Sequence, residues 1–174
     1  MPLSQEFHDR AQQLLARYPV KRSALLMVLH DAQDDAGFLS PEVIREVASV
    51  MGLTAADVAG VATFYTMYKL SHPGRCLISL CTNVSCVIKG ADEAAARLTE
   101  LVGPEGQTTA DGLMSWEQVE CLAYCSAAPA AQVNYRDVPH LTADRVETLC
   151  SQLRAGRSVD EVLQAMRTEE AAGA

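Results

Sequence analysis

Six cysteines, at positions 76, 81, 86, 121, 125 and 150, hold most of the chemistry this sequence offers. Four of them form two pairs. Cys81 and Cys86 enclose Thr82-Asn83-Val84-Ser85, and Cys121 and Cys125 enclose Leu122-Ala123-Tyr124. Each pair directly follows a stretch of extended period. Open α/β sheets commonly place their sites in loops at the carboxyl ends of strands. Four thiols at two neighbouring strand ends can therefore converge on one centre, and the spacing leaves two kinds open. Structural zinc takes paired cysteines from tight knuckles, though spacings up to four residues occur. A [2Fe–2S] cluster needs two thiolates on each of two irons, so its cysteines wrap a rhomb rather than a point, which suits wider spacings. A dithiol redox pair would read Cys-x-x-Cys, which is absent. None of His8, His30, His72 and His140 stands beside a cysteine in this region, so a Rieske-type site with two histidine ligands is not supported. The histidines read as surface or turn residues. Cys76 and Cys150 lack ligand spacing and read as core residues, since a free cysteine packs as a small hydrophobe.

The elements that must position the pairs are legible in the periodicity. Phe7, Ala11, Leu14, Leu15 and Tyr18 recur at helical spacing until Pro19. Leu25, Leu29, Ala32 and Ala36 form a second stripe, ended by Gly37. Ser40-Pro41 caps a third, with Val43, Val47 and Val50, closed by Gly52. Thr54 starts a fourth, with Val58, Val61, Ala62 and Tyr65 on its apolar face. Four short helices with brief links predict a small antiparallel bundle over residues 1–71. After the Ser71-His72-Pro73-Gly74 turn the period becomes extended. Strands are predicted at 76–82, 113–119, 131–135 and 138–141, with a reversal at Arg136-Asp137. Helices are predicted from Gly90 to Val102 and from Thr142 to Gly156. The order β-α-β-β-β-α is a sheet with helices packed on it. Ser158 and Glu161 read as a capping box for a short C-terminal helix within 157–174, with residues 168–174 fraying.

Several expectations concern the surroundings of the thiols. Val84, Val87, Ile88, Leu122, Ala127, Ala128 and Pro129 are expected to form a dry wall around them. Ser85, Ser126 and the loop amides are expected to donate to sulfur. The helix starting near Gly90 is expected to turn its positive end toward the site. A [2Fe–2S] centre with four thiolates is a dianion, and a trianion after one electron. On a chain with 14 Lys+Arg against 22 Asp+Glu, net −8, that charge disfavours reduction and predicts a low potential, only partly offset by Lys89.

The same charge argues against bare nucleic acid as a partner and against docking on anionic lipid by charge alone. With 49% hydrophobic and 21% charged residues the chain can bury a core. No apolar run approaches the roughly 20 residues of a membrane span. The start, Met1-Pro2-Leu3-Ser4-Gln5-Glu6, has no basic region followed by an apolar core, so no secretory or transit signal is expected.

Cys81-Thr82-Asn83-Val84-Ser85-Cys86 followed by Glu120-Cys121-Leu122-Ala123-Tyr124-Cys125-Ser126-Ala127-Ala128-Pro129 resembles the thioredoxin-like [2Fe–2S] subunit, of the E or 24 kDa type, of respiratory NADH:quinone oxidoreductase (complex I). Gly60-Val61-Ala62-Thr63-Phe64-Tyr65-Thr66-Met67-Tyr68, Asp111-Gly112 and Gln132-Val133-Asn134 are similar to it too. The resemblance implies an α+β or α/β chain: a helical bundle for partner docking, then a thioredoxin-like [2Fe–2S] ferredoxin domain at 72–156. It implies Cys81, Cys86, Cys121 and Cys125 as ligands of one cluster. It implies a flavin-bearing, NADH-oxidising partner that holds the FMN and NADH. The expected location is cytoplasmic, peripheral to the inner face of a bacterial membrane through partner subunits. NAD-reducing hydrogenases and NAD-dependent formate dehydrogenases use the same architecture and stay open as parent assemblies. From the residues alone, a zinc-stabilised adaptor and a free-standing ferredoxin are the rivals. One departure stands out. The family has glycine after its Cys-Leu pair, where this chain has Ala123. A left-handed backbone there is expected to cost alanine about 1 kcal/mol.

Overall fold

The structure is a computed structural model describing residues 3–173, with side chains described to residue 168. It divides into two compact units that meet in sequence between His72 and Pro73. The first is helical: α1 Gln5–Ala16, α2 Leu25–Ala36, α3 Pro41–Met51 and α4 Ala55–Phe64. All four predicted helices are present. The predicted caps Ser40 and Thr54 act as such, their hydroxyls accepting from the amides of Val43 and Asp57, and Ser4 caps α1 in the same way by accepting from Phe7 N. Gly37 and Gly52 end α2 and α3 with a left-handed backbone, at φ 83° and 66°. A 3-10 turn at Lys21–Ala24 was not foreseen, because four residues are too few to show a period. Phe7, Leu15, Val28, Leu29, Val47 and Val58 fill the core of this unit. Tyr18 and Tyr65, expected on apolar faces, lie beyond the ends of their helices and are exposed.

Ser4 also ties the start of α1 to the end of α2. Its amide donates to Asp35 over 2.8 Å, and its hydroxyl donates to the same carboxylate. The Ser4 hydroxyl, then the Ser4 amide, hold the Asp35 carboxyl below its ordinary range. A depressed folded pKa gives stability that is present above the unfolded value and lost as pH falls through the folded one. The stability difference between the wild type and Asp35→Asn should therefore shrink as pH falls from about 5 to about 3. Urea titrations across that range measure it.

The second unit carries a four-stranded sheet of β1 Cys76–Cys81, β2 Met114–Val119, β3 Ala131–Val133 and β4 Arg136–Val138, in the order β2-β1-β3-β4. β1 and β2 are parallel, with Cys76 opposite Met114 and Cys81 opposite Val119; β3 and β4 are antiparallel additions. The parallel pair needs a crossover, and α5 Val84–Ile88 and α6 Ala91–Leu101 lie within it. After β4 come α7 Ala143–Arg154 and α8 Val159–Gly173. Ile78, Leu80, Leu98, Trp116, Val133, Leu149 and Leu153 form the core, with Val162, Leu163 and Met166 of α8 completing it.

One expectation needs correction. The hairpin reverses at Asn134-Tyr135 (φ 49° and 62°), not at Arg136-Asp137, which pair in β4 with Val133 and Gln132. Two consecutive positive φ values are what a two-residue hairpin turn requires. The Asn134 side chain accepts from Leu77 N and donates to Arg75 O, so it anchors that turn. The C-terminal helix α8 spans Val159–Gly173, through the residues expected to fray. Ser158 and Glu161 exchange the predicted reciprocal bonds at its start. Ala174 lies outside the described residues. Among the described residues no single helix is long and apolar enough to cross a membrane.

Candidate metal centre

The two strands that precede the cysteine pairs are neighbours in the sheet, so their loops emerge side by side. Cys81 is the last residue of β1. Its amide donates to Ala130 O over 2.9 Å, and the next amide, Thr82 N, donates to Val119 O. The chain then turns into α5, where Asn83 Oδ1 accepts from Val84 N and Cys86 points inward. On the other side, Cys121 and Cys125 lie in the loop after β2, which passes through a 3-10 turn at Cys125–Ala127 and a cis Ala128–Pro129 bond into β3. The Cys81 and Cys86 thiols are buried with Ala91, Ala128 and Ala130, with Val119 and Leu122 packed around them. Ala91 is the first residue of α6, so the start of that helix abuts the thiols.

The Cys81 thiol lies within hydrogen-bonding reach of the Cys86 and Cys121 thiols, and Cys86 senses charge on Cys81 and Cys125. Cys81 and Cys86 are buried, whereas Cys121 and Cys125 are exposed. Cys76 and Cys150 stand apart in the core of the sheet. Burial raises both of their thiol pKa values, that of Cys150 to about 11. They remain neutral thiols at physiological pH.

Burial also opposes ionisation of Cys81, but the amides of Asn83 and Leu122 and the two adjoining thiols outweigh it, and its pKa is lowered. Cys86 is raised by burial and by the neighbouring sulfurs, against the amide of Ala130. A group of thiols fitted with amide donors is the donor set a multi-thiolate metal site requires. Among the described residues no three or more His, Cys, Asp or Glu side chains form a set around a single ion.

The sulfur-facing donors are backbone amides. Ala123 N donates to Cys121 over 3.3 Å and Ala130 N to Cys86 over 3.4 Å. Among the described residues the Ser85 and Ser126 hydroxyls, expected to help, make no such bond. The dry wall is also only half present. Ala127, Ala128 and Pro129 are buried, but Val84 and Ile88 are 69% and 76% exposed, and Val87 also faces solvent. The reason is α5: this helix turns Cys86 inward and so turns its other apolar residues outward.

His140 was missed as a positioning residue. Its amide donates to Ala127 O, its Nδ1 lies 3.2 Å from Ala128 O, and Leu141 N donates to Pro129 O. A carbonyl only accepts, so Nδ1 carries the proton in that contact. These bonds strap the segment after Cys125 against the sheet. No spacing rule in the sequence connects His140 to the cysteines.

Ala123 has φ 55°, the left-handed conformation expected at this position. Ala123→Gly should stabilise the chain by about 1 kcal/mol, read as a higher urea midpoint at unchanged slope.

Comparison with known proteins adds the family. Residues 11–154 match the model of the thioredoxin-like [2Fe–2S] ferredoxin. NADH-quinone oxidoreductase subunit 2 of Thermus thermophilus is 38% identical over 160 residues, 88% of this chain and 87% of that protein. An E-type chain of the NADH-quinone oxidoreductase of Rhizobium meliloti is 38% identical, covering 86% of this chain and 90% of that protein. The E-type chain of the NADH-quinone oxidoreductase of Mycobacterium tuberculosis is 38% identical over 83% of this chain, which spans only 58% of that longer relative. Among solved structures, a NAD+-reducing [NiFe]-hydrogenase in the H2-reduced state is similar at a TM-score of 0.69 and 27% identity, over 78% of this chain and 23% of that one. The sheet, the paired thiols and these similarities agree: this chain belongs to the thioredoxin-like [2Fe–2S] ferredoxin family.

Proposed function

We propose that this chain is the [2Fe–2S] electron-transfer subunit of the NADH-oxidising module of an NADH:quinone oxidoreductase. In this reading Cys81, Cys86, Cys121 and Cys125 hold one cluster, and a flavin-bearing partner holds FMN and NADH. The observation that supports this reading most is that both cysteine loops leave the ends of neighbouring parallel strands, with the Cys81 thiol beside those of Cys86 and Cys121 and backbone amides donating to Cys86 and Cys121. Such a cluster, when bound, supplies one-electron chemistry. The rest is the work of this chain's residues. The amides of Ala123 and Ala130 hold their sulfurs by donating to them. Buried Cys81 and Cys86 keep water from one side, while exposed Cys121 and Cys125 leave the other open to a partner. We assign no bond-making step to this chain. It would sit on the inner face of a bacterial membrane through partner subunits only.

The likeness to the NAD+-reducing hydrogenase favours one second reading, the equivalent subunit of such an enzyme. Purification from the native host separates the two by the flavoprotein's other companions, quinone-reducing subunits or a nickel–iron subunit. Metal and acid-labile sulfide analysis of anaerobically purified chain tests the cluster itself. Two irons and two sulfides per chain are expected. One zinc without sulfide would replace this reading with a structural adaptor.

A further inference from the structure

The two ends of β1 differ in character. Its carboxyl end enters the cysteine loops. Its amino end opens on a separate cavity of about 250 Å³. Six residues of strand put roughly 20 Å between these ends. Arg75, just before β1, Arg154, ending α7, and Arg157, in the link to α8, line the cavity, and Leu113, Leu153 and Val159 give it an apolar side. No Asp or Glu is among the lining residues. Three of 14 basic residues thus meet at one cavity of a protein with net charge −8.

None of the three guanidiniums is paired with a carboxylate lining the cavity. Arg154 donates to Leu101 O, and Arg157 donates to Gln152 Oε1 over 2.9 Å and to Glu161 O over 3.4 Å. These acceptors are uncharged. Among the described residues the Arg75 guanidinium makes no hydrogen bond or ion pair. Two carboxylates lie near enough to feel the cluster. Asp111 senses Arg154, but accepts from the Thr109 hydroxyl and Leu113 N. Glu161 senses Arg157, but accepts from the Ser158 amide and hydroxyl. Both keep their negative charge, since these donors are neutral, but among the described residues neither lines the cavity nor forms an ion pair with its arginines.

We infer that this cavity binds a small phosphate monoester, with its phosphoryl group on the Arg75 and Arg157 guanidiniums and its organic substituent against Leu113, Leu153 and Val159. Planar guanidiniums match phosphoryl oxygens in bidentate fashion, and a dianion answers the three exposed arginines that line one cavity. The volume lies below the usual range for small-molecule sites, which limits the substituent to a compact group and excludes a dinucleotide. Arg157 and Val159 lie beyond the family match at residue 154, so the site depends on a segment outside the shared domain. The inference goes beyond the electron-transfer reading and stands or falls independently of it.

The test is amide chemical-shift titration of the full chain with inorganic phosphate and with phenyl phosphate, against chloride at matched ionic strength. Saturable shifts are expected at Gly156, Arg157 and Ser158, with phenyl phosphate the tighter probe. Arg75→Gln and Arg157→Gln should each weaken binding at least about tenfold, the loss of one charge-assisted contact. Lys21→Gln, the same charge change on the helical unit, should leave it unaltered. Arg75→Gln keeps the test clear of the structural bonds of Arg157. The inference is overturned if neither probe gives a saturable response, or if the response survives both arginine substitutions.

Discussion

Cys121→Ser is expected to strip the chain of most of its visible absorption and bound iron, while Cys76→Ser leaves both intact. A serine hydroxyl ionises far less readily than a thiol and is a poor ligand for iron beside thiolates. The same loss is expected for Cys81→Ser, Cys86→Ser and Cys125→Ser, and the same retention for Cys150→Ser. The four variants should differ in one further respect. Cys121 and Cys125 are exposed, so their replacement costs little packing. Cys81 and Cys86 are 3% and 1% exposed among Ala91, Ala128 and Ala130. A polar hydroxyl there adds a desolvation penalty of about 1–3 kcal/mol. Absorption spectra and iron content read the first effect, and urea midpoints of the metal-free chains read the second. An unchanged spectrum in Cys121→Ser would sink the ligand assignment.

Gln33→Leu should destabilise the helical unit by about 2 kcal/mol, the lower end of the cost of two unsatisfied groups because both contacts are half-buried. Gln33 is 7% exposed on α2. Its side-chain amide donates to Met67 O over 3.1 Å and accepts from Lys69 N over 2.6 Å. It thereby holds the segment after α4, which is also fastened by Tyr68, whose hydroxyl donates to Leu26 O, and by Leu39 N on Lys69 O. Leucine is similar in bulk but leaves two main-chain groups unsatisfied, and each such group costs about 1–3 kcal/mol when buried. Amide exchange should accelerate around Met67–Lys69 and stay unchanged in α6 and α7. A loss below about 0.5 kcal/mol would show that water takes over both bonds.

What the sequence revealed follows from how much each feature depends on local signals. Helices α1 to α4 were readable because caps and apolar spacing agree: Ser40-Pro41 starts α3 and Gly52 stops it. The paired thiols were readable because both pairs sit where a strand ends. The outward turn of Val84 and Ile88 was hidden, since a five-residue helix has no measurable period and apolar character alone suggested burial. The hairpin turn at Asn134-Tyr135 was misplaced by two residues because tyrosine is an unusual occupant of a left-handed position. The strap from His140 to Ala127 and Ala128 depends on tertiary placement alone.

The parallel pairing of β1 and β2 also sets a timetable for biogenesis. Cys81 and Cys86 leave the ribosome well before Cys121 and Cys125, and the crossover through α6 must form before the late pair can join the early one. The amide that donates to Cys86 belongs to Ala130, which is synthesised after all four cysteines. A nascent chain arrested before β2 owns half a set of proposed ligands and cannot retain an inserted cluster. On the proposed ligand set, cluster insertion follows the pairing of β1 with β2 and the synthesis of Ala130.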